Sequence, residues 1–350
     1  RAASIEWNQQ LTPTERFKAL IINSGNANAC TGQRGIDDNQ AIAAIAAKHF
    51  NANENQMLVL STGVIGQHLP MAKTAEGIEK AISEQGNSQD HFDRATMAIL
   101  TTDEGPKTVE SVVSTETGEI KIAGMAKGAG MIGPKMATML AIIISDAKIS
   151  SKKAQQILNR AVDKSFNRIS VEGHTSTNDA LVMICNGNSD VEVDSDESSQ
   201  AFENAITENC IQLAKQIPAD GEGASHLITI NITGATNDQQ ADLVARTVAA
   251  SALVKTAITG SDPNWGRIVS AAGYAGAEMD VSMTSLKLNG FLVFENGQPV
   301  DFNSKQVSKA LKEQFETLVE LSIGAGTGSA THRTSDLTQE YVRFNSEYTT

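Results

Sequence analysis

The chain has 350 residues, 40% of them hydrophobic and 20% charged, with a formal net charge of −13. That length exceeds one ordinary core and suits two packed domains, and the balance of apolar and charged residues excludes a disordered chain. The longest apolar runs, such as residues 139–144, are far too short to span a bilayer, and the acidic charge excludes nucleic acid or an anionic membrane as a general partner.

The first elements read as a strand over residues 17–23, a loop, and a helix over 37–50 with alanine and isoleucine on one face. A strand over 56–60 runs into Ser61-Thr-Gly63. Helices are expected at 71–84 and 90–98, followed by a strand into Thr101-Thr102-Asp103 and a hairpin turning near Thr117-Gly118. A glycine-rich turn then leads to an isoleucine-rich run over 139–145, which has no helical stripe and reads as a buried strand. Ser150 or Ser151 caps a helix to about Phe166, and a strand over 180–185 enters an acidic, serine-rich loop at 189–199. A helix over 200–216 is stopped by Pro218, and a strand over 225–233 follows. The final third reads as a helix over 239–256, an Asp-Pro-Asn-Trp loop, a helix, and a hairpin at Asn296-Gly297. A helix over 305–318 and a last strand complete it. Asn-Gly between apolar runs is a strong two-residue hairpin signal. Alternating strands and helices without repeats give an α/β class.

Cys30, Cys185 and Cys210 are odd in number and lack metal-ligand spacing, which favours a reducing compartment. Cys185 lies in an apolar strand and Cys210 on an apolar helix face, so both read as core. Cys30 sits in a loop rich in glycine and asparagine.

The turn Lys127-Gly-Ala-Gly-Met-Ile-Gly-Pro-Lys-Met-Ala-Thr138 delivers a small residue and then a threonine to the mouth of the buried run. Gly128-Ala-Gly-Met-Ile-Gly133 also matches the dinucleotide pattern G-x-G-x-x-G, but that pattern requires a helix behind it to receive the pyrophosphate. The strand-like run after it argues against a nucleotide loop. A bent amide between Ala137 and Thr138 suits attack by the Thr138 hydroxyl on the Ala137 carbonyl. Scission would free an α-amine beside the hydroxyl to act as its base, with a reference pKa of ~7.7–8.0.

Further motifs run along the chain: Ile21-Ile-Asn-Ser-Gly-Asn-Ala-Asn-Ala-Cys-Thr-Gly32, Ser61-Thr-Gly-Val-Ile-Gly66, Thr101-Thr-Asp-Glu-Gly-Pro-Lys107 and Ser165-Phe-Asn-Arg-Ile-Ser-Val-Glu-Gly-His-Thr-Ser-Thr-Asn-Asp179. Asp220-Gly-Glu-Gly223, Ser261-Asp-Pro-Asn-Trp-Gly-Arg-Ile268 and Asp336-Leu-Thr-Gln-Glu-Tyr-Val-Arg-Phe-Asn345 follow. Together, and in this order, they resemble the ornithine acetyltransferase (glutamate N-acetyltransferase) family of arginine biosynthesis over almost the whole length. The resemblance implies a layered sandwich of sheets between helices, αββα-like and of the N-terminal-nucleophile type, with a second C-terminal α/β domain. The structural split is expected near 1–235 and 236–350. Cleavage would give chains 1–137 and 138–350. Relatives carry more sequence before Arg1, so an upstream strand or targeting segment is expected.

By the same resemblance, Thr138 is the nucleophile, Ala137-Thr138 the cleavage site, and Thr62 with Gly63 an oxyanion hole. Substrate contacts fall on Thr101, Thr102, Lys127, Thr138, Glu222, Asn345 and Thr350. Lys127 suits a substrate α-carboxylate and Glu222 an ammonium, since one amino acid needs both signs in a small pocket. Only one of Thr101 and Thr102 is expected to face the site, with spacing to Lys127 favouring Thr101. The implied reaction is transfer of acetyl from N-acetyl-ornithine to glutamate through an acetyl-Thr138 ester, by ping-pong kinetics. No metal or other cofactor is implied, and acetyl-CoA as a second donor stays open. The expected enzyme is cytoplasmic and a homo-oligomer of cleaved protomers. The alternatives are an amidase or aminopeptidase of the same nucleophile type, in which water takes the acyl group, and an unprocessed amino-acid-binding relative. Lys135, Glu172, His174 and Thr331-His-Arg-Thr-Ser335 depart from the family pattern, which bears on substrate preference and cleavage rate. For His174 a polar packing role is favoured over one as ligand or base.

Overall fold

The computed structural model describes residues 1–133 and 139–347, and the chain divides into two compact units. Among the described residues the first comprises Arg1–Asn167 and His174–Ile217, and the second Arg168–Gly173 and residues 218–347. The boundary thus precedes the 235/236 division expected from the sequence. The reason is the strand Leu227–Ala235, which pairs on both sides with strands of the second unit.

In the first unit, β1 (Ala19–Asn26) and β2 (Met57–Val64) pair in parallel, in register from Ala19↔Met57 to Gly25↔Gly63. Among the described residues β1 has no strand on its outer side. The outer edge of β2 is covered by α1 (Ala3–Leu11), a helix absent from the sequence reading. Its Asn8 amide donates to Val59 O (2.8 Å) and accepts from Val59 N (3.0 Å), standing in for a neighbouring strand. The crossover helix α2 (Gly32–His49) starts earlier than residue 37. Its first turn has no apolar stripe to announce it and is held by Asn28, whose side-chain amide donates to Gly35 O (2.8 Å).

Strand alternation gives each face of this pair a different partner. Ile21, Met57 and Val59 pack on Ile42, Ala43 and Ala46 of α2 and on Ile78 of α3 (Met71–Ser83). Leu20, Ile22 and Leu60 face the other way, onto Leu140, Ile142 and Ile184 of a second sheet. That sheet has the order β3 (Lys107–Thr115), β4 (Gly118–Lys127), β5 (Leu140–Ser145), β7 (Ala180–Cys185). Its outer side is covered by α6 (Asp196–Ala219). Asn209 of that helix donates to Ser111 Oγ (2.7 Å), and Leu213 lies close over Gly124 beside Ile143. Helix, sheet, sheet, helix is the layering that the sequence led us to expect.

The expected strand into Thr101 does not form. Helix α4 (Gln89–Ala98) passes into a segment of turns and bends, and Ile99 and Leu100 reach Met125 and Ile142 from there. Their apolar character marks a core anchor, not a strand. The run after the glycine turn is the strand β5, as its composition suggested.

The second unit is a seven-stranded mixed sheet of order β11-β10-β9-β12-β8-β13-β6. Its strands are β6 (Ile169–Ser170), β8 (Leu227–Ala235), β9 (Ser285–Leu288), β10 (Phe291–Glu295), β11 (Gln298–Pro299), β12 (Glu316–Ser322) and β13 (Gly328–Ser335). The core formed by Ile228, Ile230, Val319 and Leu321 with Val244, Ala245 and Val248 joins the sheet to α7 (Asp238–Ala250). The single helix expected over 239–256 is two, because the Ser251 hydroxyl accepts from Val254 N (3.4 Å) and caps a new helix, α8 (Ala252–Thr259). The helix expected over 305–318 ends at Glu313, and Thr317, Val319 and Leu321 alternate inward on β12. Asn289-Gly290 and Asn296-Gly297 both adopt positive φ (46° and 82°, 48° and 76°), as two-residue hairpin turns require. A last helix, Gln339–Glu347, follows β13 and had no counterpart in the sequence reading.

Candidate active site

Within the first unit, three of the expected residues, Thr62, Gly63 and Lys127, lie near strand ends, and a fourth, Thr101, reaches Lys127 from the loop after α4. Lys127 ends β4 and is 2% exposed. Its Nζ donates to Thr101 Oγ1 (2.8 Å) and to Thr62 Oγ1 (3.4 Å). A buried ammonium is stable only with such acceptors and a counter-charge, and Asp103 supplies the latter, with Oδ2 3.8 Å from Nζ. Thr101, not Thr102, receives the Lys127 hydrogen bond. Strand alternation is not the reason, since this segment is a loop.

Asp103 gathers more than Lys127. Its Oδ1 accepts from Lys107 Nζ (2.7 Å) and from Gly128 N (2.5 Å), and its Oδ2 from Thr101 N (3.2 Å). Burial alone would raise its pKa. The charges of Lys127 and Lys107, with the hydrogen bonds from Lys107 and Gly128, outweigh burial and hold the carboxyl below the usual range.

Gly63 stands opposite Gly25 in the parallel pair, with φ of 129°. A Cβ there would lie 2.3 Å from Gly25 C and 2.5 Å from Asn26 N, so only glycine allows the two strands to close at this level. Gly63→Ala is therefore expected to destabilise the protein by about 1–3 kcal/mol, as overpacking does. A thermal melt checks it, and an unchanged melting temperature would contradict the strand approach. Thr62, next to it, is buried.

Two further polar residues, to which the sequence reading gave no role, organise this end of the unit. Asn178 donates to Ala27 O (2.6 Å) and Ser61 O (2.8 Å), clamping the ends of β1 and β2 together. Asp179 accepts from the backbone N–H of Met139 (3.0 Å), the residue that follows Thr138. With Asp103 they are the polar framework of the site. All three lie inside the motifs quoted above, so their signal was present but was read as sequence similarity alone. Ala137, Thr138, Lys135 and Thr350 lie outside the described residues.

In the second unit, Glu222 Oε2 accepts from Asn345 Nδ2 (3.1 Å). The Asp-Gly-Glu-Gly loop is pressed on the last helix: a Cβ on Gly223 would lie 2.4 Å from Tyr341 N, and Thr338 Oγ1 donates to Gly223 O (2.5 Å). Glycine there is what brings Glu222 level with Asn345.

His174 is exposed, whereas His332, in the departing 331–335 stretch, is fully buried. Burial pushes the thiols of Cys185 and Cys210 up to about 12, with Asp146 adding to the effect on Cys185, so neither is a ready nucleophile. Among the described residues no group of three or more His, Cys, Asp or Glu side chains is placed to hold a metal ion. None of the described helices is long and apolar enough to cross a membrane.

The ArgJ family profile matches residues 1–350. The arginine biosynthesis bifunctional protein ArgJ of Rhodopirellula baltica is 45% identical over 352 residues, covering 100% of this chain and 86% of that protein. The protein of the same name from Synechocystis is 41% identical over 361 residues, covering 100% of this chain and 87% of the relative. The crystal structure of arginine biosynthesis bifunctional protein argJ from Bacillus halodurans superposes with a TM-score of 0.56 at 37% identity, over 58% of this chain and 96% of that one. Eight motifs in order, the layered α/β fold and a match over the whole length converge: the chain belongs to the ArgJ family, and is an acyltransferase enzyme of arginine biosynthesis.

Proposed function

We propose that the protein cleaves itself between Ala137 and Thr138 and then transfers acetyl from N-acetyl-ornithine to glutamate through an ester on Thr138. The observation that supports this most directly is the meeting of Lys127, Thr62 and Gly63, near their strand ends, with Thr101 from the loop after α4. Lys127 would take the substrate carboxylate. The Thr62 hydroxyl and a donor at Gly63 would receive the oxyanion of the tetrahedral intermediate, where losing one donor costs roughly 2.7–4 kcal/mol. Glu222 and Asn345 would contact the amino-acid substrate, with Thr102 and Thr350 as further candidates from the family pattern. The ester route needs no metal or redox group. A cytoplasmic location and an oligomer of cleaved protomers complete the reading, and acetyl-CoA is one of the donors that the panel below compares.

The test is a donor–acceptor panel on purified protein. N-acetyl-ornithine and glutamate are expected to give parallel double-reciprocal lines, because ornithine leaves before glutamate is acetylated. Omitting glutamate should leave acetyl on the peptide that begins with Thr138. Intersecting lines without a trapped ester would replace this route with direct transfer in a ternary complex, and release of free acetate as main product would make the enzyme a hydrolase.

A further inference from the structure

Asp103 has no place in the reaction proposed above, yet its carboxylate accepts from Lys107, Gly128 and Thr101. Its side chain is completely buried. It joins three segments: the loop after α4 through Thr101 N, the start of β3 through Lys107, and the end of β4 through Gly128 N and Lys127. The distances divide these partners. Lys107 is bound closely at 2.7 Å, whereas Lys127 stands 3.8 Å away and donates at 2.8 Å to the Thr101 hydroxyl. Asp103 therefore restrains Lys127 through charge, while the hydroxyls of Thr101 and Thr62 accept from its ammonium. The same carboxylate fixes the first amide of the glycine turn.

We infer that Asp103 is a positioning residue of the active site, holding Lys127 in place to receive the substrate carboxylate. This rests on the acetyl-transfer reading given above. Without the carboxylate, Lys127 loses the counter-charge that stands 3.8 Å from its ammonium, and with it a restraint that keeps the cation where the substrate carboxylate would bind.

The experiment is a double-mutant cycle with Asp103→Asn and Lys127→Met, read as KM and kcat for N-acetyl-ornithine and glutamate, with melting temperatures alongside. Asp103→Asn is expected to raise KM about tenfold, the size of one charge-assisted bond, with kcat changed much less. Asp103→Glu should recover part of that loss. In the Lys127→Met background, Asp103→Asn should change KM no further, because its effect passes through Lys127. A purely structural carboxylate would give multiplying effects on KM in the double variant, or losses that follow the melting temperature, and either result overturns the assignment. Wild-type KM in Asp103→Asn overturns it alone, with acetyl transfer intact. A wild-type protein that transfers no acetyl overturns the functional reading, and this assignment with it.

Discussion

Thr138→Ala is expected to yield a single uncleaved chain of 37.1 kDa with acetyl transfer reduced by more than about 10³-fold, the scale of losing a catalytic nucleophile. Two losses coincide at one residue. Alanine has no hydroxyl to attack the Ala137 carbonyl, so the chain stays joined. With the chain joined, the nitrogen of residue 138 remains an amide and cannot serve as a base. Thr138→Ser keeps a hydroxyl and should still cleave, more slowly, because serine lacks the β-branch that restricts the threonine rotamer. Intact-mass spectrometry with N-terminal sequencing reads all three proteins. A break at another bond, or an active protein with no break, would refute the nucleophile assignment.

Acid should destabilise this protein through His332 well above the carboxylate range. The side chain is 0% exposed on the core side of β13, with Nε2 3.2 Å from Ser170 Oγ. Burial first, and then the charges of Arg246, Arg168, Arg333 and Lys255, push its pKa down from 6.5 to about 3. Below pH 6.5 the unfolded chain gains a proton at this histidine and the folded chain does not. Stability therefore falls as pH drops from 6.5 toward 3, by up to about 1.4 kcal/mol per pH unit. At pH 4.5 the loss reaches roughly 3 kcal/mol. His332→Gln keeps a hydrogen-bonding group for Ser170 and removes the titration, so urea unfolding of this variant should have a flatter acid limb. Equal slopes for the two proteins between pH 6 and 4.5 would rule the histidine out.

What was legible in the sequence divides along a physical line. A strand buried at nearly every position, Leu140–Ser145, and the half-buried Ala180–Cys185 both read directly as apolar runs. The Asn296-Gly297 turn was legible because few residues other than asparagine and glycine tolerate its positive φ. Ala3–Leu11 was missed because it docks through hydrogen bonds from Asn8 and Trp7 to β2, not through a strong apolar stripe. Residues 99–100 were misread as strand because apolar character does not tell a turn that anchors the core from an extended segment. The candidate site shows the same limit. Lys127 and Thr101 were found through motif resemblance, but nothing local says that Asp103 is buried between two lysines. An aspartate next to a glutamate and near a lysine ordinarily reads as solvated surface, and only the meeting of β3, β4 and the loop after α4 makes it an interior charge.

Strand β1 has consequences for how the protein behaves in concentrated solution. With a strand on one side only among the described residues, it presents backbone N–H and C=O groups along its outer edge. The segment Ala19–Asn26 carries three consecutive large aliphatic side chains, and neither proline nor a charge interrupts it. Proteins commonly blunt such an edge with lysine, proline or a bulge. Here Lys18 stands just before the strand, and the bulge at Asn26 comes only at its end. The edge is thus open to pairing among the described residues, and because Leu20 and Ile22 pack on the second sheet and Ile21 on α2, a charge cannot be set within this run to blunt it without entering a core.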